Sequence, residues 1–420
     1  MTASPLPSTG AVTGLRETIE FFSDPAFASR RFGLHGDVFE TSLLGQRIVF
    51  IRGEQAIRDL LDQPSALEGW WPVSVRKLLG QRSLANRNGV AHKARRRAVG
   101  QLFSAAALRR YTPQITAMVD QLSAELLAAE SPVPLADRMR RFAFAVIAGP
   151  VLGLNSNDRD ALFSDFEIWT RALFSIPIAL PGSPFAQAIQ ARTRLLTRLQ
   201  AVLRSNNADQ GGLDLLSGCL DESGLPLDDE DLVEQLLLLL FAGYETTASS
   251  LSCLFRALLL EPEVEGWLQE ELEQQPWPME PSIELPRLNA VVREVMRLTP
   301  PVGGFFRRCK RDVELAGVSV PADRVIQVAL TSTGGETGAD HATFRPQRHL
   351  DGSFEQTLFP FGGGERVCLG KALAELEIRL MAGGLQRRLK LRLMPDQDLT
   401  LQVIPSPSPK GGLLVQAEAR

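Results

Sequence analysis

The stretch from Asp228 to Glu261 constrains this chain most. It opens on Asp228-Asp229-Glu230-Asp231, an acidic first turn of the kind the helix dipole favours. It stops at Pro262, which ends the pattern. About 33 residues at 1.5 Å each make a rod of roughly 50 Å, long enough to span a whole domain. The apolar run Leu236–Ala242 argues for burial all round, and is itself too short to cross a bilayer. Yet the next residues, in AGYETTA (Ala242 to Ala248), put Glu245, Thr246 and Thr247 at the helix centre. A threonine hydroxyl there can bond the carbonyl four residues back, that of Ala242, and bend the helix; Gly243 makes that bend cheaper. Glu-Thr-Thr usually marks a solvated face. Amid apolar neighbours, a buried acid and alcohol suit proton delivery.

The remaining pattern predicts a mainly α fold. A strand pair, Val38 to Leu44 and Arg47 to Arg52, turns at Gly45-Gln46. Helical spacing runs from Ala91 to Arg204, and Ser205 to Gly212 reads as a loop. A further helix ends at Thr299 before Pro300-Pro301. Short strands follow at Val313 to Leu315, Val318 to Val320, Val325 to Leu330, Leu389 to Leu393 and Leu399 to Val403. We expect one domain over 1–420, with a leader and strands in 1–60, a helical body in 91–300, and β elements, a ligand loop and a final helix in 301–420. A net charge of -4 excludes a general basic field for nucleic acid. The four cysteines are scattered without CxxC pairing, which excludes a disulfide framework or zinc finger. No apolar leader opens the chain, so the expectation is a cytoplasmic protein without a membrane anchor.

One cysteine stands apart. FGGGERVCLGKALAELE (Phe361 to Glu377) places Cys368 on a glycine-rich loop just ahead of the helix expected at Ala372 to Gln386. Unpaired N–H groups and the dipole at a helix start stabilise a thiolate. Gly364 can take a positive φ, and Gly370 lets something flat approach the backbone. Phe361 offers an aromatic wall and Arg366 a cation. This set suits a planar, anionic, metal-bearing ligand such as haem. The loop is one residue too long for GxxxxGK[ST], and Ala372 stands where that motif needs a hydroxyl. By itself the loop leaves haem and a glycine turn with a buried thiol both open.

Phe361, Gly364, Arg366, Cys368 and Gly370 match FxxGxRxCxG, which resembles the signature of the cytochrome P450 superfamily of haem-thiolate monooxygenases. AGYETT is similar to that family's [A/G]Gx[D/E]T[T/S], and Glu294 and Arg297 resemble its ExxR pair. The resemblance implies haem b held by Cys368, with Arg366 on a haem carboxylate and Ala374 packed under the ring. It implies that Thr246 hydrogen-bonds the dioxygen being activated, that Glu245 feeds protons, and that Ala242 and Gly243 lie over the haem. Glu294, Arg297 and Arg348 would form a structural network behind the cysteine loop; His349 replaces the family's usual Phe. His92 and Arg96, one helical turn apart, and Arg307 resemble further carboxylate contacts, although Arg95 and Arg97 crowd the first pair. Thr331 to Phe344 departs from the family wording, which puts the local loop in doubt.

By family position, the substrate pocket would include Trp70, Trp71, Phe174, Phe241, Val302, Gly303, Phe305 and Ile404, mainly apolar residues that suit a lipophilic substrate. FSIPIALPGSPF and PPVGGFFR look like the branch that contains retinoic-acid hydroxylases, so a retinoid or another isoprenoid is expected. With no flavin or iron–sulfur motif in the chain, NAD(P)H-derived electrons would reach a monomer through a ferredoxin-type donor and its reductase. Arg345, Arg348, Lys371, Arg387 and Arg388 would include a basic docking face, or else be scattered solubilising charge. The rival readings are a haem-thiolate peroxygenase or isomerase and a non-catalytic haem sensor. Neither needs the Glu245–Thr246 pair.

Overall fold

A computed structural model of the chain describes residues 3–10, 14–24, 26–43, 45–173, 175, 177–204, 211–216, 218–279, 283–332 and 339–420. The loop expected at Ser205 to Gly212 lies mostly outside them. Contacts divide the chain into two compact units, Met1–Trp70 with Arg293–Cys368, and Trp71–Val292 with Leu369–Arg420.

The first unit is built on a five-stranded sheet in the order Val38–Leu43, Gln46–Ile51, Val325–Ala329, Gly304–Cys309, Leu67–Gly69. The first pair is the expected hairpin, but its second strand starts at Gln46, which pairs with Leu43 and so is not in the turn as expected, while Gly45 takes φ 76°. Gln46–Ile51 then pairs in parallel with Val325–Ala329. Both faces of these strands are covered. Val49, Ile51, Ile326 and Val328 pack with Ile57 and Leu60 in one cluster, while Phe39, Phe50 and Val325 pack with Phe27 and Phe32 in another. This two-sided burial is why Ile48-Val49-Phe50-Ile51 reads as a continuous apolar run, without the alternation of a half-exposed strand.

The second unit is helical. Its long helix runs Asp229–Leu260, and the Asp228 side chain caps it by accepting from the Asp231 N–H at 2.8 Å. By length and composition this helix could cross a membrane, but 67% of its most apolar window is buried inside the protein. Helices Gly89–Gly100, Ala105–Leu127, Leu135–Val146, Ser156–Arg171 and Pro184–Arg204 fill the stretch read as helical. The final helix is Lys371–Arg388, followed by Leu389–Leu393 in a three-stranded sheet with Leu414–Ala419 and Val133–Pro134. The strand expected at Leu399 to Val403 shrinks to Leu401–Gln402. Its partner is only Ser408–Pro409, and a proline offers no N–H to extend the ladder.

Phe50 is 1% exposed and stacks on its cross-strand neighbour Phe39 at 5.3 Å. Phe50→Ala should cost about 3–5 kcal/mol. Urea unfolding checks this as a lower midpoint at an unchanged slope.

Candidate active site

The cysteine loop folds as its glycines allow. Gly362 and Gly364 take φ 68° and 63°, and a short 3-10 turn follows over Gly364–Arg366. The Cys368 N–H donates to the Phe361 carbonyl at 2.9 Å, closing the loop. Cys368 is exposed, whereas Cys253 and Cys309 are buried and Cys219 is half-buried. Burial, and after it the Asp312 charge, pushes the Cys309 thiol up to about 12. Exposure of Cys368 removes the reading of this loop as a turn around a buried thiol. Gly370 caps the helix Lys371–Arg388 and accepts from the Ala374 N–H at 2.9 Å. A Cβ on Gly370 would meet only Phe103, at an ordinary 3.7 Å, so packing within the protein does not require glycine there.

Two arginines meet beside this loop. Arg307 lies on strand Gly304–Cys309, opposite Gly69. A Cβ on Gly69 would come within 2.2 Å of the Arg366 guanidinium carbon, so Arg366 lies across the bare backbone of Gly69. The Arg307 guanidinium donates to the Phe306 carbonyl at 2.8 Å and sits 4.7 Å from the Phe305 ring centre. Burial, and then the neighbouring Arg366 charge, lowers its pKa to about 10. No carboxylate pairs with Arg307 among the described residues. Two cations held together in this way select an anionic ligand. Gly69 was not singled out in the sequence. A glycine just ahead of the paired tryptophans Trp70-Trp71 was the available signal.

The long helix carries the acid–alcohol pair in the second unit. The Thr246 hydroxyl donates to the Ala242 carbonyl at 2.7 Å, the bond expected from its position. The helix continues without interruption through Ser250, whose hydroxyl in turn bonds the Thr246 carbonyl at 2.9 Å. Burial raises the Glu245 pKa, with the Arg140 charge opposing. Gly243 has a packing role as well: a Cβ there would fall 2.5 Å from Ile147, so glycine lets the Ile147 segment approach the helix. On helix Gly89–Gly100, His92 is buried and Arg96 half-buried, one turn apart. Arg95 turns away to Asp231 at 2.6 Å and to Glu222, while Arg97 is exposed. The expected crowding of His92 and Arg96 by Arg95 is therefore relieved by an ion pair.

Glu294 is the most heavily bonded acid in the first unit. Its side chain and that of Arg297 are 0% exposed, with bidentate bonds of 2.7 and 2.8 Å. Arg348 Nε donates at 2.9 Å, the Arg345 N–H at 3.0 Å, and His349 Nε2 lies at 2.8 Å. Burial opposes ionisation, but the bonds from Arg297, His349 and Arg345 outweigh it and hold Glu294 at about 2. His349, read as a mild departure from phenylalanine, is thus a member of the network. Arg297 also donates to the carbonyl of His341 at 2.7 Å and Arg348 to that of Thr343 at 3.1 Å. Both carbonyls belong to the stretch whose wording departs from the family pattern.

The structure redistributes the outer expectations. Arg348 is 2% exposed, so it cannot belong to a docking face. Arg387 donates to the Leu272 carbonyl, and Arg388 pairs with Asp120 at 2.6 Å. Lys371 is exposed, and Arg345 is half-buried with Asp351 at 3.6 Å. Of the expected pocket residues, Phe174 lies outside the described residues. Trp70, Val302, Gly303 and Phe305 belong to the first unit, and Trp71, Phe241 and Ile404 to the second. Trp70 packs edge-on to Phe306 at 5.3 Å, and Ile404 is 54% exposed.

Comparison with known proteins agrees with this chemistry. A family profile described as Cytochrome P450 matches residues 4–417. A cytochrome P450 120 of Synechocystis sp. is 34% identical, over 96% of this chain and 94% of that protein. Cytochrome P450 26B1 of Danio rerio is 31% identical, over 94% of this chain and 83% of that protein. A solved structure, retinoic acid bound cyanobacterial CYP120A1, superposes with a TM-score of 0.92 at 32% identity, covering 100% of both chains.

Glu294→Ala would leave two buried guanidinium groups without their anion, a loss of about 3–5 kcal/mol. Urea unfolding checks it. The wild-type network should also respond to acid. Glu294 is depressed from 4.5 to about 2, so its contribution is present above pH 4.5 and is lost as pH falls towards 2. In Glu294→Gln, that part of the acid dependence should vanish.

Proposed function

The chain belongs to the cytochrome P450 family of haem-thiolate monooxygenases, and from that premise we propose that it oxidises a lipophilic carboxylic acid of the retinoid class. The observation that carries the site assignment is the pair Arg307–Arg366, two adjacent cations beside the loop of an exposed cysteine, with no carboxylate on Arg307 among the described residues. Haem fits that set: Cys368 would ligate its iron, and Arg307 and Arg366 would hold a carboxylate, with His92 and Arg96 as further contacts. The bare backbone at Gly370 would accept the flat ring. When bound, haem supplies the dioxygen activation that no side chain can perform.

The protein's own groups handle protons and orientation. The Thr246 hydrogen is engaged by the Ala242 carbonyl, which leaves the Thr246 oxygen as an acceptor facing away from its own helix bond. Glu245, whose burial favours the protonated form, is a proton source on the adjacent residue. The Glu294 network would keep the cysteine loop in register. Electrons would come from an external ferredoxin-type donor with its reductase. The substrate class rests on the 26B1 and 120 relatives and on retinoic acid in the CYP120A1 structure.

The test is the dithionite-reduced, carbon monoxide difference spectrum. A far-red Soret band should appear in the wild type and disappear in Cys368→Ser; an imidazole-type band in the wild type would overturn the ligand assignment. Retinoic acid should shift the ferric spin state. Arg307→Leu should weaken haem retention by about tenfold, the loss of one charge-assisted bond, read as haem per protein after gel filtration. Thr246→Ala should lower product per NAD(P)H several-fold and release peroxide, with haem content unchanged. An unaltered ratio would remove Thr246 from the proposed role.

A further inference from the structure

The second unit contains a cleft of about 430 Å³, bounded by helices Ala105–Leu127, Leu135–Val146 and Ser156–Arg171. That volume is within the range of small-molecule sites. None of its lining residues belongs to the site described above. Its aromatic wall is Phe144 and Phe163, packed edge to face at 5.0 Å. Both rings lean on Tyr244, at 6.2 and 6.1 Å, which is 2% exposed. The wall is therefore already held in place before any ligand arrives.

Arg138, Arg141 and Arg159 line the same cleft against Glu125 and Asp160, so three positive charges less two negative ones leave +1. Among the described residues, none of the three has a carboxylate at ion-pair distance. On the same helices, Arg140 pairs with Asp137 at 3.1 Å and Arg171 with Glu167 at 3.6 Å. The Arg141 guanidinium sits 5.5 Å from the Phe163 ring centre, at the junction of charge and apolar surface. Arg159 is seated by Gly149, where a Cβ would come within 3.3 Å of its Nη1. Planar guanidinium groups recognise carboxylates by paired hydrogen bonds, and the rings beside them accept a hydrocarbon chain.

We infer that this cleft is a second binding site, for an apolar carboxylic acid whose headgroup engages Arg138, Arg141 and Arg159 and whose chain lies against Phe144 and Phe163.

The test is calorimetric titration of decanoate into the holoenzyme with its haem site saturated by an azole inhibitor. One equivalent should bind. Arg138→Gln with Arg141→Gln should weaken it at least tenfold while leaving the azole-induced shift of the haem band unchanged. Decanol, with the same chain and no charge, should bind at least tenfold more weakly. Absence of heat from decanoate in the blocked enzyme, equal affinity in the double variant, or equal affinity for decanol would each overturn the inference. Arg141→Gln alone, at an exposed position, serves if the double variant does not fold. A protein showing no azole shift would count against the haem assignment only, and the decanoate comparisons would then be made on the unblocked protein.

Discussion

The buried carboxylate of Glu294 is the constraint on which the first unit depends. An ionised acid at 0% exposure is costly unless its oxygens are satisfied, and here five hydrogen bonds reach them, two from Arg297 and one each from Arg348, the Arg345 N–H and His349. The donors come from the end of helix Pro286–Leu298 and from the turn at Pro346–His349 with Arg345 just before it, segments that share no strand or helix. Against an ionised carboxylate the His349 Nε2 carries its hydrogen, which leaves Nδ1 buried without a partner among the described residues. An apolar core would tolerate slippage of the turn against the helix. A charge cluster of this kind does not, because any slip exposes an unpaired ion to a dry interior.

Several arginines elsewhere in the molecule are also neutralised by acids, and the exceptions are informative. Arg95, Arg192 and Arg194 each have an acid partner, at 2.6 Å for Arg95 with Asp231 and 2.7 Å for Arg194 with Asp165. Arg307 has none among the described residues, and the Arg366 charge is near enough to lower its pKa further. A buried cation without an acid suits a ligand that would bring the negative charge. Glu245 departs in the opposite sense: burial favours its neutral form at the centre of the most apolar helix in the chain. Glycine marks the points of closest approach, Gly69 under Arg366 and Gly243 against Ile147.

Much of this was legible in the residues. The long helix was expected from an acidic start and a proline stop, and its structure runs Asp229–Leu260 because both signals act locally, on the first unpaired N–H groups and on the residue after the last carbonyl. The turn at the cysteine was legible because only glycine takes φ values such as those of Gly362 and Gly364 without strain. The role of His349 was not legible. Its partner Glu294 lies 55 residues away, and nothing in the local spacing announces a hydrogen bond across that distance. Arg348 was legible as a partner of Glu294 from the family pattern, and only its further placement on a basic docking face fails, because it is buried.

The residues alone therefore carry what is local and periodic: the helix limits, the apolar strands, the positive-φ turn, the Thr246-to-Ala242 bond, and the residue types that name a haem-thiolate chemistry. Which polar groups are paired was settled by long-range folding. Arg95 was taken out of contention by Asp231, while His349 was brought into the Glu294 network and Arg366 laid over Gly69. The physical reason is that backbone preferences act within a turn or two of the chain. The free energy of a buried charge depends on every neighbour that folding brings to it.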